Sequence, residues 1–269
     1  MSEAGQNPEA ERRRVSAGRT PLSEDSLLDG RVRLRQPARG YRAAIDPVLL
    51  AATVGVGPGE SVLDLGCGAG AAALCLLARV PEARVTGLEL QNDLAELARK
   101  NAALNGRVGR FRVLQGDVGA PPPGLASVGF DYVLLNPPYL PAGRGRLAES
   151  SAKAIATEEG AAGLAAWLAA GLRFLRPRGG LAVIHRADRL DELLAALRGG
   201  AGEIKVCPLW PAAGRPAKRV LVAARKAVAT PLALLPGLVL HQADGRFTPE
   251  AEAVLRDAAP IELSRWTGP

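Results

Sequence analysis

The sequence predicts an α/β protein built on a mostly parallel sheet with helices on both faces. Three observations carry this. From Ser61 onward, short apolar runs of strand length alternate with longer stretches of helical period. A glycine-rich turn, "GCGAG" at 66–70, joins the first of those strands to the first of those helices. The series closes on two neighbouring strands, "EIKVCPLW" and "KRVLVAAR", expected to run antiparallel at the sheet edge.

In order along the chain, residues 1–20 carry charge without periodicity and read as a disordered basic arm. Residues 21–58 read as a hairpin and one helix. In "SLLDGRVRLRQ" the dipeptide Asp29-Gly30 is a hairpin turn signal, and the flanks alternate, with Arg31, Arg33 and Arg35 opposite Val32 and Leu34. "AAIDPVLLAATV" follows as a short helix, with Asp46 expected as its cap and Pro47 at its first position. The main domain spans 59–228. Its earlier strands are "SVLDL", "ARVTGLEL", "RFRVLQGD", "FDYVLLN" and "GGLAVIHR". The helices are "AAALCLLARV", "NDLAELARKNAALN", "GLAAWLAAGLRFL" and "RLDELLAAL". Residues 229–269 form an extension expected to pack on that domain. Its helix "TPEAEAVLRDA" has Thr248 at the cap and Pro249 at the first position.

Composition narrows the function classes. The chain of 269 residues is 48% hydrophobic, enough for a sizeable core. No apolar run reaches the roughly 18 residues that span a bilayer, and the N-terminus has no apolar h-region. No membrane association is therefore expected, and the cytoplasm is the default compartment. Cys67, Cys75 and Cys207 lack CxxC spacing, and the two histidines, His185 and His241, lie far apart. Neither a disulfide framework nor a metal site is expected. Cys67 reads as a small residue in a tight turn. His185, ending its strand, is expected near the mouth of any ligand crevice without a committed role. The net charge of +7 suits a polyanionic partner. Two acid-free clusters favour nucleic acid: Arg31, Arg33, Arg35, Arg39 and Arg42, then Arg215, Lys218, Arg219, Arg225 and Lys226. A monomer is favoured, with the oligomeric state open.

The glycine loop is the first chemical signal. Gly66, Gly68 and Gly70 let the backbone turn tightly and approach a ligand, in front of unpaired N–H groups of the next helix. Glu89 ends the second strand, where an acid can take two ribose hydroxyls. Those features fit a dinucleotide as well as S-adenosylmethionine. Asp64 separates the two, because a carboxylate before the first glycine would repel a pyrophosphate but can face a cationic amino-acid end. Asp117, ending the third strand, is placed to accept a hydrogen bond from an adenine amine. Three acids at consecutive strand ends line one crevice.

"VLDLGCGAG", "GLEL" and "GD" resemble the ordered motifs of the class I S-adenosylmethionine-dependent methyltransferases, and "NPPY" at 136–139 resembles the motif of the branch that methylates planar nitrogens. From about Leu22 to the C-terminus, "GYRAAIDPVLLAA", "NPPYL", "LAVIHRADRLDELL", "RPAKRVLVAARK" and "LLPGLVLH" are similar to the tRNA1(Val) (adenine-N6)-methyltransferase family, although Ile45 stands where many members carry Thr. The resemblance implies a Rossmann-like class I fold with a mostly parallel seven-stranded sheet and an antiparallel edge strand. It implies S-adenosylmethionine as cofactor, held by Asp46, Asp64, Gly66, Cys67, Gly68, Gly70, Glu89, Leu90, Asp117, Val118 and Asn136. It also implies tRNA as partner, met by Arg31, Arg33, Arg35, Arg39, Arg42, Lys218 and Arg219.

The chemistry of "NPPY" follows from the nucleophile. An amine conjugated to a ring or carbonyl is poor in electron density, and it attacks while still carrying both protons. The Asn136 side-chain carbonyl and the Pro137 backbone carbonyl can accept those two N–H groups, more strongly as positive charge develops, while Tyr139 can stack on the substrate plane. Glutamine amides meet the same requirement, so a release-factor-type protein methyltransferase is the main alternative. The arginine-rich hairpin, in place of a helical substrate domain, favours RNA. An RNA-binding protein without catalysis and a nicotinamide dehydrogenase are less consistent with Asp64 and "NPPY".

Overall fold

A computed structural model of the chain describes residues 21–39, 42–125, 129–139 and 163–263. The basic arm expected at 1–20 lies outside the described residues, as does the stretch 140–162 that follows Tyr139.

Strand β3 (Ser61–Leu65) is buried from Val62 onward. Such a run belongs inside a parallel sheet covered on both faces. It leads through α2 (Ala71–Arg79) to β4 (Arg84–Glu89), then through α3 (Asn92–Leu104) to β5 (Phe111–Gln115), all parallel. The chain next crosses back, and β6 (Phe130–Leu135) pairs with the other side of β3. Helix α4 (Leu164–Phe174) runs straight into β7 (Leu175–Arg186), which pairs parallel to β6. Helix α5 (Leu190–Leu197) precedes β8 (Ala201–Ala212) and β9 (Arg219–Lys226). Core clusters on both sides of the sheet combine its side chains with those of the helices.

The seven expected strands are all present, in the order β8-β9-β7-β6-β3-β4-β5. The antiparallel strand is β9, and it lies one place in from the edge, between β7 and β8. Strand β8 is the outermost of the seven, and the tail covers it in turn. Its short strands β10 (Ala233–Leu234) and β11 (Leu238–His241) pair parallel to β8, extending the sheet to nine strands and covering the apolar β8 edge. Helix α6 (Pro249–Leu255) is capped by the Thr248 hydroxyl, which accepts from the Ala251 N–H at 3.1 Å.

The N-terminal hairpin of β1 (Leu22–Leu27) and β2 (Val32–Pro37) forms a separate two-stranded sheet. Two strands alone are marginal, and α3 supplies the missing partner. The Asn101 carbonyl accepts from Arg35 N–H (2.9 Å), and its amide donates to Arg35 C=O (2.8 Å). One turn on, Asn105 repeats the pattern with Arg33, at 2.9 and 2.7 Å. Two asparagines four apart on a helix thus imitate the edge of a strand. Asn101, fully buried, also donates to Ala69 C=O at 2.9 Å, tying the hairpin to the glycine loop.

Helix α1 (Asp46–Ala51) corrects one expectation. Its N-cap is Ile45, with no side-chain cap bond, so Asp46 is the first helical residue and Pro47 the second. The Asp46 carboxylate points elsewhere, into the site described below.

Replacing Asn101 by Ala strands backbone groups of Arg35 and Ala69 and is expected to lower the unfolding free energy by about 2–4 kcal/mol. The same change at the more exposed Asn105 is expected to cost less, about 1 kcal/mol. Urea denaturation of the two variants checks the ordering, and equal losses would contradict it.

Candidate active site

The chain reverses its direction of travel across the sheet between β3 and β6, and open α/β sheets bind ligands at such a switch point, beyond the carboxyl ends of the strands. Leu65 pairs with Leu135 in parallel register, so the glycine loop after β3 and Asn136 after β6 emerge side by side.

Each loop glycine has a distinct physical reason. Gly66 (φ 70°) lies beneath Trp167, and a Cβ there would come within 2.8 Å of the indole ring. Gly70 (φ 89°) caps α2, where a Cβ would meet Phe111 at 2.7 Å. Gly68 (φ 55°) instead faces open space on its side-chain side. Its N–H donates to Glu89 Oε2 at 2.9 Å, while Glu89 Oε1 accepts from Gln91 N–H at 2.8 Å. Cys67 turns its thiol into the core against Gly87. Burial pushes that thiol well above its ordinary value, which fits a packing role rather than a reactive one.

The two interior carboxylates are costly to keep charged. Asp64 is only 3% exposed, and its Oδ2 has no hydrogen-bond partner. Burial raises its pKa to about 7, opposed by the Ala73 N–H and assisted by the charge of Glu89. Burial likewise raises Glu89, against the pull of the Gln91 and Gly68 donors. An unpartnered carboxylate oxygen beside an open glycine turn suits a cationic ligand group, and Glu89 retains lone pairs for hydroxyl donors. The residues present therefore fit the amino-acid and ribose ends of S-adenosylmethionine. Leu90, half exposed beside Glu89, and the buried Val118 offer apolar surface. Asp117 is exposed, and its Oδ1 accepts from Gly119 N–H at 2.8 Å in a local turn bond.

Beyond β6, Pro137 is buried and Tyr139 half-buried. The Tyr139 hydroxyl lies 2.6 Å from Asp46 Oδ2 and 3.1 Å from Asn136 Oδ1. Arg219, at the start of β9, donates from Nε to the same Asp46 oxygen at 2.6 Å, with its guanidinium 5.6 Å from the Tyr139 ring centroid. His185, fully buried, meets the Tyr139 ring edge-on at 5.2 Å, and its Nε2 lies 3.4 Å from Pro138 C=O. It sits beneath the Asn-Pro-Pro-Tyr turn as a support, a placement that no spacing in the sequence signals. His241 is in the tail, stacked on Phe247, with its Nδ1 3.0 Å from the Pro211 carbonyl of β8.

The basic clusters are rearranged by the fold. Glu24 on β1 faces two arginines of β2, Arg33 and Arg35, and binds both, while Asp25 binds Arg42, beyond β2, at 2.7 Å. Arg31, Arg39 and Lys218 make no ion pair among the described residues. The second cluster divides along β9, because six residues of strand separate its ends by roughly 20 Å. Arg219 stands at the catalytic end. Arg225 lies at the opposite end, where with Tyr132 and Arg178 it borders a cavity of about 430 Å³ remote from the glycine loop. Among the described residues no group of three or more His, Cys, Asp or Glu could hold a metal ion, and no helix is long and apolar enough to cross a membrane.

The architecture and the crevice together define a Rossmann-like methyltransferase. The methyltransferase-domain family profile matches residues 62–158. A crystal structure of a predicted O-methyltransferase from Agrobacterium tumefaciens superposes with a TM-score of 0.67 at 28% identity, covering 80% of this chain and 98% of that one. A tRNA1(Val) (adenine(37)-N6)-methyltransferase of Aeromonas hydrophila is 30% identical over 210 residues, 77% of this chain and 85% of its own length. The chain belongs to that family. Relatives of the same name from Porphyromonas gingivalis are matched over 64% of their length. A release factor glutamine methyltransferase of Caulobacter vibrioides is 35% identical over 153 residues, 54% of this chain and 52% of its own.

The raised pKa of Asp64 has a definite sign. Below about pH 4 the carboxyl is neutral whether the chain is folded or not. Between pH 4 and 7 the unfolded chain loses this proton while the folded chain keeps it, so the group's contribution to stability falls as pH rises and levels off above 7. Relative to the parent, Asp64→Asn should therefore gain stability across that window, by on the order of 2–4 kcal/mol. Urea titrations at several pH values check this, and a pH-independent difference would mean that Asp64 is ionised in the free protein.

Proposed function

We propose that this chain transfers a methyl group from S-adenosylmethionine to the exocyclic amine of an adenine in tRNA, beside the anticodon, in the cytoplasm. The carrying observation is the register of β3 with β6, which sets the glycine loop against Asn136 at the switch point. Family membership supports the substrate class.

Held by Asp64, Glu89 and the glycine loop, S-adenosylmethionine would supply a methyl group on a cationic sulfur, which keeps the electron pair as the C–S bond breaks. The adenine nitrogen forms the new N–C bond with its lone pair, becomes cationic, and then releases one proton to solvent. Asn136 Oδ1 and the Pro137 carbonyl hold its two N–H groups, and both acceptors gain strength as the charge develops. An amide serves better than a carboxylate here, because a full charge costs more to desolvate. Neither proline can donate to a sheet, and none is needed where β6 has ended. Tyr139 offers its ring as a stacking platform, worth roughly 1–3 kcal/mol. A base within a folded stem or loop is first turned out of its stack.

Residues 59–228 form the catalytic unit in this reading, 21–58 the RNA-contacting unit, and 229–269 the brace along β8. Arg31, Arg33, Arg35, Arg39, Arg42 and Lys218 provide the phosphate contacts, with Glu24 and Asp25 holding three of the charges, those of Arg33, Arg35 and Arg42, in a fixed array until RNA arrives. The Caulobacter relative supports a second reading, in which a glutamine amide occupies the same acceptors.

Tritiated S-adenosylmethionine should label unmodified tRNA. Asn136→Ala should reduce labelling by 10²-fold or more, on the order expected for a lost transition-state acceptor, with cofactor affinity nearly unchanged. Equal labelling by the variant would remove Asn136 from the reaction, and labelling of a release factor but not tRNA would move the assignment to the second reading.

Replacing Arg31, Arg33 and Arg35 together should weaken tRNA binding and lower its salt slope by up to roughly one unit per lost phosphate contact. An unchanged slope would place the RNA surface elsewhere.

A further inference from the structure

The Tyr139 phenol has one proton, and Asp46 Oδ2 at 2.6 Å and Asn136 Oδ1 at 3.1 Å both lie in reach of it. A hydroxyl serves one acceptor well. The carboxylate is nearer and charged, and charge-assisted bonds are shorter and about twice as strong as neutral ones. The proton therefore goes to Asp46. Asp46 is itself anchored: its side chain is 10% exposed, and Arg219 Nε donates to the same oxygen at 2.6 Å while the guanidinium covers the Tyr139 ring.

We propose that Asp46 and Arg219 are positioning residues for methyl transfer, which draw the Tyr139 proton away from Asn136 and so reserve the Asn136 carbonyl for the substrate amine. The inference rests on the role given to Asn136 above. Without the Asp46 carboxylate, the phenol turns its proton to Asn136 Oδ1 and competes there with the substrate N–H. With no phenolic proton to compete, loss of that carboxylate has little left to disturb. A role in folding or in direct cofactor contact has no such dependence on the Tyr139 hydroxyl.

The test is a double-mutant cycle of Asp46→Asn with Tyr139→Phe. It is read as kcat at saturating cofactor on whichever substrate, tRNA or release factor, takes the label, with cofactor affinity measured by calorimetry. Asp46→Asn should lower kcat about tenfold in the parent and less than twofold in the Tyr139→Phe background, with cofactor affinity within about twofold in both. The same loss in both backgrounds, or weaker cofactor binding with kcat intact, would overturn the proposal. Arg219→Gln should show the same dependence on the Tyr139 hydroxyl, more weakly, and decides the matter if Asp46→Asn does not fold. Asn136→Ala run in parallel separates the two failures. Full activity there removes the reading of the site itself, whereas its loss beside an additive cycle removes only the positioning role.

Discussion

The parallel pairing of β3 with β6 is the constraint on which the catalytic end depends. One register brings Leu65 level with Leu135. It thereby places a backbone turn that admits a ligand next to an amide that can hold a nucleophile. A slip of one residue would send every side chain of β6 to the other face of the sheet. The apolar residues of β6 would then face the wrong helices, and Asn136 would turn away from the glycine loop. Core packing and site geometry are thus set by the same pairing, and burial of Leu63, Leu65, Val133 and Leu135 defends both.

Against this frame the polar groups look costly by design. Asp64 and Glu89 are both buried, the charge of Glu89 disfavours that of Asp64, and among the described residues neither is paired with a basic side chain. A protein selected for stability alone would fill such positions with apolar groups. That electrostatic demand is one a cation and a pair of hydroxyls are able to meet. Asp46 contrasts with them. One oxygen of its carboxylate is met within the chain, by Arg219 and the Tyr139 hydroxyl.

Much of this was legible in the sequence because local signals and the fold agree. Apolar strand runs, the glycine turn and the acids at strand ends each point to the same edge of the same sheet. What was not legible depends on contacts between distant residues. Asp46 reads as a helix cap because Asp is favoured at the cap and Pro at the first helical position; only the fold brings Tyr139, 93 positions on, and Arg219, 173 positions on, to its carboxylate. The arginines read as an acid-free cluster until the fold sets Glu24 against Arg33 and Arg35 and Asp25 against Arg42. Asn101 and Asn105 read as ordinary polar positions of an amphipathic helix, since nothing in their spacing says that a strand edge lies opposite. The closing strands were read as an edge because a tail strand that joins by two residues, as β10 does, carries almost no pattern of its own.

The N-terminal unit consequently has two connections to the site. Through Asn101 the hairpin is bonded to Ala69 in the glycine loop, and through α1 the Asp46 carboxylate reaches Tyr139 in the catalytic turn. A surface suited to a polyanion is thereby joined, by short hydrogen-bonded paths, to both halves of the crevice. Prolines 137 and 138 complete the arrangement from the other side. They contribute no donors and restrict the backbone, so the direction of the Asn136 amide depends on few torsions and on the ring of Tyr139. That ring is held by an acid from one end of the chain, a cation from the other and the edge of a buried histidine between them. Rigidity at this turn is thus assembled from residues remote in sequence, which is why the four letters of the motif name the chemistry while its precision belongs to the fold as a whole.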